Sequence, residues 1–293
     1  MKVIVLGAGI IGISTVWHLL ERGHEVTVVD RQPQAAMETS FANAAQISVS
    51  YCEPWANRDT PLKALKWMFN DDAPLLFRPQ FDMRQWLWGM RFLSQCNDTS
   101  FEHNVQQLVA LGAYSHIALK EMVLTTGIEY SRMERGIAHF FTEQQSFDTA
   151  GDAAALMRKY GVNRKVISKA ELLVIEPAFN AFAHRIVGAT YTASDESGDA
   201  CVFTQALAQR CRTHGAQFFY SPDGIRLNKV DSAIESVAVC ARIHQSIGQK
   251  DVGQELLLKV DTADFRCAGC LRLSVTGKYL GLQRHSPAFK VLA

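Results

Sequence analysis

The chain opens on Val3-Ile4-Val5-Leu6, a short and wholly apolar run that stops at a glycine. Such a run predicts a parallel strand covered on both faces. From Ile10 to Arg22 the apolar period lengthens: Ile10, Ile13, Val16, Trp17 and Leu20 share one stripe, and Gly23 stands where a helix stops. An amphipathic helix is expected there. Glu25 to Asp30 reads Glu-Val-Thr-Val-Val-Asp, rich in β-branched residues, and predicts a second strand. A β-α-β unit is thus complete within the first 30 residues.

Periodicity then fades. Residues 31–57 are rich in Ala, Ser, Asn and Gln, which predicts a loop with one helical turn, and ordered loops of this length usually carry a ligand or a function. Helical spacing returns at 62–70, at 83–96 and over 101–125, where Val105, Leu108, Leu111 and Met122 fall. Residues 127–142 alternate in polarity and predict two strands joined near Glu134-Arg135-Gly136, the start of a second sheet. Ser168-Lys169-Ala170-Glu171 has the spacing of a capping box and predicts a short helix that ends before Pro177. A strand at 187–191, a helix at 200–213 after the turn Asp195-Glu196-Ser197-Gly198-Asp199, and a strand at 216–220 restore the α/β alternation. With no internal repeat and no low-complexity linker, the second domain is expected to be inserted between pieces of the first.

At 293 residues, 48% apolar and 20% charged, the chain can bury the cores of two domains. The formal charge is +1, from 30 basic and 29 acidic residues, so no overall field gathers nucleic acid and no such partner is expected. Seven scattered cysteines, odd in number, suit a reducing compartment and predict a cytoplasmic protein. No stretch approaches the ~20 consecutive apolar residues of a membrane span. Trp86, Trp88 and Phe92 lie near helical spacing and are read as core rather than lipid-facing residues. Cys267-Ala268-Gly269-Cys270 has the spacing of a zinc or redox pair, but no second pair completes it, and no metal is expected.

Between the first strand and the first helix stands Gly7-Ala8-Gly9-Ile10-Ile11-Gly12, a match to G-x-G-x-x-G in the context that gives the pattern meaning. Gly7 permits a tight turn, Gly9 has no side chain to block a pyrophosphate, and Gly12 lets the helix pack on the strand. Unpaired N–H groups and the helix dipole favour a phosphate there without a basic side chain. Asp30 ends the second strand about twenty residues beyond the glycines, where a carboxylate accepts hydrogen bonds from a ribose. Strand, glycines, helix and acid in register predict a Rossmann-type dinucleotide site. Val3, Ile4, Val5, Leu6, Gly7, Ala8, Gly9, Ile10, Ile11, Gly12, Asp30 and Arg31 are its expected residues. The pattern by itself does not separate FAD from NAD.

Further segments carry a resemblance. Glu38-Thr39-Ser40-Phe41-Ala42-Asn43-Ala44-Ala45-Gln46-Ile47-Ser48, Pro54-Trp55, Pro61-Leu62-Lys63-Ala64-Leu65-Lys66-Trp67, and Asp195 to Ala200 with Phe203-Thr204 strongly resemble the D-amino acid dehydrogenase family, flavoproteins of the D-amino acid oxidase superfamily. The resemblance covers about residues 1–240. It implies an α/β fold: a Rossmann-type FAD-binding domain with an inserted α+β substrate domain, incomplete at its C-terminal end. The expected division is 1–80 for the first part of the FAD-binding domain, 81–190 for the substrate domain, 191–240 for the returning part, and 241–293 for an atypical tail lacking the family's apolar strand against the flavin.

The resemblance further implies FAD as cofactor and oxidative deamination as activity. A D-amino acid, D-alanine first among them, gives its α-hydride to flavin N5, the imine hydrolyses to a 2-oxo acid and ammonia, and electrons pass to a respiratory acceptor such as a quinone. Location would be the cytoplasm, or peripheral contact with the cytoplasmic face of the inner membrane. In such families the Ser40 to Ser48 loop wraps the flavin, so Ser40, Asn43, Ala44 and Gln46 join the expected cofactor residues. Ala45 stands where the family pattern has glycine, and its methyl group would crowd a close backbone approach to the cofactor.

His139 and Tyr191 would meet substrate if the second sheet covers the flavin; the plainer reading keeps both as structural residues. No catalytic residue is named, because the resemblance implies that an arginine and a tyrosine hold the substrate carboxylate and that both come largely from the C-terminal part expected to be incomplete. Two other readings stand beside the leading one. The altered tail and Ala45 fit a truncated, non-catalytic FAD-binding remnant. The glycines and Asp30 alone would also fit an NAD-dependent dehydrogenase, against which the Ser40 to Ser48 loop speaks.

Overall fold

The computed structural model describes residues 1–67, 80–222, 224–230, 233–242 and 253–259. β1 (Lys2–Leu6), α1 (Ile10–Glu21) and β2 (Glu25–Asp30) come first, then the two-residue β3 (Gln46–Ile47), a 3-10 turn at Val49–Tyr51, and the helices α2 (Thr60–Trp67), α3 (Met83–Ser94) and α4 (Asp98–Thr126). β4 (Ile137–Phe141), α5 (Gln144–Asp148), α6 (Ala150–Lys159), β5 (Lys165–Ser168), α7 (Lys169–Ile175) and a 3-10 segment at Pro177–Arg185 lead to β6 (Gly188–Thr192) and β7 (Glu196–Ser197). α8 (Ala200–Thr213), β8 (Gln217–Tyr220), β9 (Gly224–Val230), β10 (Ala233–Arg242) and β11 (Gly253–Lys259) follow. These elements form two compact units. One takes Met1–Ile47, Ile117–Ile137 and Ala193–Cys270 as far as they are described; the other takes Ser48–His116 and Ala138–Thr192. The first division falls after Ile47, not at residue 80, and α4 contributes to both units.

In the first unit β1 and β2 pair in parallel, Val3 opposite Val26 and Leu6 opposite Val29, and β8 joins the far side of β2 in the same sense. Alternation sorts the side chains between the faces of this sheet. Val5, Val26, Val28 and Phe218 pack with Ile13, Val16 and Trp17 of α1 and with Phe203, Leu207 and Cys211 of α8, while Ile4, Val29 and Phe219 turn to the other face with Val237 of β10. Burying side chains of this kind stabilises by roughly 1.5–3 kcal/mol each, which is why α1 is fixed by its stripe rather than by its caps. Burial also pushes the Cys211 thiol up to about 12, leaving it an inert apolar group. β9, β10 and β11 form an antiparallel sheet. β11 lies within the 241–293 tail and pairs with β10; its Leu256-Leu257-Leu258 is a short run without alternation, flanked by charge. The remaining tail, with Cys267 and Cys270, lies outside the described residues.

In the second unit β5 and β6 pair antiparallel in a sheet of order β4-β6-β5. Ile167, Leu172, Ile186 and Ala189 make one core, and Val49, Val105, Val109, Met157 and Val162 another. α7 opens on the expected capping box: the Glu171 N–H donates to Ser168 Oγ at 3.2 Å, and the Ser168 N–H donates to the Glu171 carboxylate at 2.8 Å.

Two expectations fail here. Residues 127–142 hold one strand, β4; the residues before it form no strand, making an isolated bridge of Met133 with Ser197 and a hydrogen bond from the Asp199 N–H to the Tyr130 carbonyl. Tyr130 turns into the core and Ser131 takes φ +54°, a left-handed conformation that ends an extended run. Nor do Trp86, Trp88 and Phe92 face a core. No residue of α3 is buried, and Trp86 and Trp88 are 49% and 54% exposed. Their rings find local partners instead: Trp88 stacks on Phe92 with centroids 5.3 Å apart, and Trp86 Nε1 donates to the Gln80 carbonyl at 3.0 Å. Spacing reveals a stripe but not what lies beneath it. α4, with 29 residues, is long and apolar enough to cross a membrane by length and composition. Its Val105 and Val109 sit in one core and its Met122 in the other, while Leu111, Tyr114, Ile117 and Leu124 are exposed.

Candidate cofactor site

The site forms where β1 gives way to α1. Gly7 turns the chain at φ +106°, a region closed to side chains, and its N–H donates to the Val29 carbonyl at 2.8 Å, tying the turn to β2. At Gly12 a Cβ would lie 2.0 Å from the Gly7 carbonyl oxygen, so α1 rests directly on the turn. Gly9 is different. A Cβ there would meet only Ser40 Oγ, at 3.4 Å. The protein's own packing therefore does not demand a glycine at residue 9, whereas a ligand seated at the helix N-terminus does.

Gly9 caps α1 without a side chain, and Ser40 Oγ accepts from the Ile10 N–H at 3.0 Å. First-turn N–H groups otherwise lack intrahelical acceptors, and the helix dipole favours an anion beside them. Asp30 closes the other side. One carboxylate oxygen accepts from the Ala8 N–H at 2.5 Å and the other from the Gln32 N–H at 2.7 Å. A carboxylate has about four acceptor positions, so two remain for hydroxyl donors. Arg31 is engaged elsewhere: its guanidinium pairs with Glu38, which also accepts from Gln32 Nε2 at 3.0 Å. The Gln32 hydrogen bond first, and Arg31 next, hold Glu38 below the usual carboxylate range.

The loop that follows is braced by one amide. Asn43 Nδ2 donates to the Thr39 and Ser40 carbonyls at 3.3 and 3.2 Å, and its Oδ1 accepts from the Ala45 N–H at 2.8 Å. Ala45 takes φ +55°, the left-handed region in which a Cβ costs roughly 1–2 kcal/mol. The backbone itself thus explains the glycine of the family pattern at this position. Beyond it the Ala45 carbonyl accepts from the Gly198 N–H at 2.9 Å, and Gln46 and Ile47 pair with Ser197 and Glu196.

The structure therefore brings Gly7, Ala8, Gly9, Ile10, Gly12, Asp30 and Ser40 together. Val3, Ile4 and Val5 support the turn from within β1, while Leu6 and Ile11 are exposed. Asn43 is a brace of the loop, and Ala44 and Gln46 are exposed along it. His139 and Tyr191 belong to the second unit, where His139 stacks on Tyr51 with centroids 4.5 Å apart and Tyr191 packs on the Ile167 cluster. Among the described residues no group of His, Cys, Asp and Glu could hold a metal ion. Sequence reading missed the support behind the loop: Tyr130, whose ring a Cβ on Gly198 would strike at 2.3 Å, and buried Glu196 with Arg132 and Lys120. The only hint was the three acids and the glycine of the 195–199 turn. An adenine dinucleotide fits this donor set: N–H groups for phosphate, spare carboxylate positions for ribose, and open space at Gly9.

The chain is similar to known proteins. The D-amino acid dehydrogenase of Dechloromonas aromatica (strain RCB) is 44% identical over 239 residues, 82% of this chain and 57% of that protein. The D-amino acid dehydrogenase of Paramagnetospirillum magneticum is 44% identical over 219 residues, 74% of this chain and 52% of that protein. The chain spans little more than half the length of either. Among solved structures, glycine oxidase from Bacillus cereus ATCC 14579 matches with a TM-score of 0.52 at 20% identity, covering 81% of this chain and 51% of its own. The L-amino acid deaminase from Proteus myxofaciens, in complex with anthranilate, matches with a TM-score of 0.54 at 17% identity, covering 80% and 41%. At such identities the likeness speaks of fold alone. The family model for FAD dependent oxidoreductases matches residues 2–256, past residue 240 and into β11. The chain belongs to the FAD dependent oxidoreductase family, whose cofactor is FAD.

Proposed function

We propose that the chain binds FAD at the Gly7–Gly12 turn and that its protein oxidatively deaminates D-amino acids, with D-alanine the first substrate to try. The cofactor half rests on the open space at Gly9 beside a closed Gly12. The activity half is supported by 44% identity to two D-amino acid dehydrogenases. When bound, FAD supplies two-electron oxidation at the substrate α-carbon, and water converts the resulting imine to a 2-oxo acid and ammonia. The chain's own residues bind and orient. First-turn N–H groups of α1 hold the pyrophosphate, and Ser40, whose oxygen already accepts from Ile10, has its hydroxyl hydrogen left to donate to a phosphate oxygen. Asp30 takes the adenosine ribose. Asn43 keeps the Thr39–Ala45 loop in shape.

The acceptor in this reading is a respiratory quinone, and the location is the cytoplasm with contact at the inner face of the membrane. α3 supports that contact: Trp86, Trp88 and Met90 are exposed on a helix that also carries Arg84 and Arg91. Absence of co-sedimentation with anionic vesicles would remove the membrane part.

The central test is the absorption spectrum of the purified chain, before and after FAD, then with D-alanine under anaerobic conditions. A retained flavin spectrum that bleaches with D-alanine is the expected result. A retained spectrum that does not bleach removes the catalytic half and leaves an FAD-binding remnant. No retained flavin removes both, and NADH formation from a 2-hydroxy acid would move the reading to a nicotinamide cofactor.

A further inference from the structure

β7 is two residues long, too short for backbone pairing alone to hold it. It is nonetheless the anchor of the Ser40–Gln46 loop, since it pairs with β3 and its neighbour Gly198 donates to the Ala45 carbonyl at 2.9 Å. Its other edge is held by Met133, which exchanges backbone hydrogen bonds with Ser197 at 2.9 and 3.1 Å, and by the Asp199 N–H, which donates to the Tyr130 carbonyl at 2.8 Å. The side chain of Glu196 then points inward, only 3% exposed, and meets two cations: Arg132 Nε at 2.6 Å on one oxygen and Lys120 Nζ at 2.9 Å on the other. Arg132 also reaches Glu134 at 2.8 Å. A buried carboxylate is tolerated only when paired and hydrogen-bonded, and both oxygens of Glu196 are. The network ties β7 to α4 through Lys120 and to the 130–134 segment through Arg132.

Ala45, the residue before β3 and hydrogen-bonded to Gly198 just beyond β7, takes φ +55°. Strain of that kind persists only where the surroundings over-determine the conformation. Left alone, Ala45 would relax and carry the Ala44–Gln46 peptides with it.

We propose that Glu196, through Arg132 and Lys120, is a positioning residue for the cofactor loop, holding β7 and thereby Ala45 in the left-handed conformation that FAD binding uses. The inference rests on the reading that this loop holds FAD. Glu196 touches no cofactor atom in it; it acts through the backbone of β7.

The experiment compares FAD dissociation constants, by flavin absorbance and fluorescence, for the full chain, Glu196→Gln, Lys120→Met and Glu196→Gln/Ala45→Gly, with far-UV circular dichroism for each. Glu196→Gln is expected to keep its secondary structure and to weaken FAD binding about tenfold, and Lys120→Met about threefold. Adding Ala45→Gly to Glu196→Gln should restore most of the lost affinity, because glycine enters the left-handed conformation without the steric cost that the clamp otherwise offsets. A purely structural role would not give that rescue. If Glu196→Gln does not fold, Lys120→Met alone decides: affinity equal to the unaltered chain overturns the proposal. FAD affinity unchanged in both folded variants, or an affinity loss that Ala45→Gly leaves in place, overturns it too. If the unaltered chain binds no FAD, it is the underlying reading that fails.

Discussion

The Gly7–Gly12 turn and the Ser40–Gln46 loop meet at the start of α1, where Ser40 Oγ accepts from Ile10, yet they are held by different physics. The turn is fixed by exclusion. A left-handed Gly7, a Gly12 in contact with the Gly7 carbonyl, and apolar residues of β1 and α1 beneath them leave the backbone one arrangement. The loop is fixed by polar bracing. Its shape depends on one asparagine amide, on a two-residue pairing with β7, and on an alanine held in a glycine conformation. Steric exclusion between backbone atoms does not depend on competition with water, whereas polar bracing on an exposed loop competes with water at every bond. The turn should therefore fail abruptly when altered, and the loop by degrees.

Gly12→Ala gives the largest expected effect. The added methyl cannot be placed 2.0 Å from a backbone oxygen, so α1 must lift from β1 and uncover Ile13, Val16 and Trp17. A loss of about 3 kcal/mol or more is expected, read as insoluble chain or a collapsed thermal transition. An unchanged melting temperature would show that the turn yields as easily as the loop and would erase the contrast.

Gly9→Val divides binding from folding within the turn. A Cβ at residue 9 meets only Ser40 Oγ, so circular dichroism and solubility should match the unaltered chain while FAD affinity falls by at least about a hundredfold, through obstruction of the pyrophosphate. Equal flavin content in both proteins would remove the assignment of this turn. Asp30→Ala comes next. It strips the acceptor from the Ala8 and Gln32 N–H groups as well as from ribose, and hydrogen bonds to a charged acceptor are worth roughly 1.5–3 kcal/mol each. FAD should bind about thirtyfold more weakly without being lost, as measured by titration of flavin fluorescence.

The difference between the two regions also explains what could be seen in the sequence. Exclusion leaves a local signature: Gly7, Gly9, Gly12 and the apolar run before them are contiguous, so strand, turn, helix and Asp30 could be placed from spacing. The same holds for the Ser168 capping box and for α8. The clamp behind the loop could not, since Lys120, Arg132 and Glu196 are scattered over two elements and a turn and look like ordinary surface charges. The face of α3 was misjudged for a related reason. Periodicity reports that Trp86, Trp88 and Phe92 share a side but is silent on whether another element covers it. The missing second strand of 127–142 comes down to one residue, Ser131, whose left-handed φ no alternation pattern encodes.

The smallest effect probes the loop by itself. Ala45 and Ala36 both take left-handed conformations, at φ +55° and +65°, so glycine at either relieves roughly 1–2 kcal/mol of backbone strain while adding roughly 0.5–1 kcal/mol of unfolded-chain entropy. Their surroundings separate them. Ala36 is buried, and its N–H donates to the Ala8 carbonyl at 3.0 Å beneath the turn, so removing its methyl also forfeits about 0.8 kcal/mol of burial. Ala36→Gly should leave the melting temperature where it is. Ala45 is only half-buried and has little packing to lose. Ala45→Gly should therefore raise the melting temperature by roughly 1–4 °C. If instead Ala36→Gly stabilises and Ala45→Gly does not, the strain lies under the turn, and the division between a region held by exclusion and one held by polar bracing would have to be reversed.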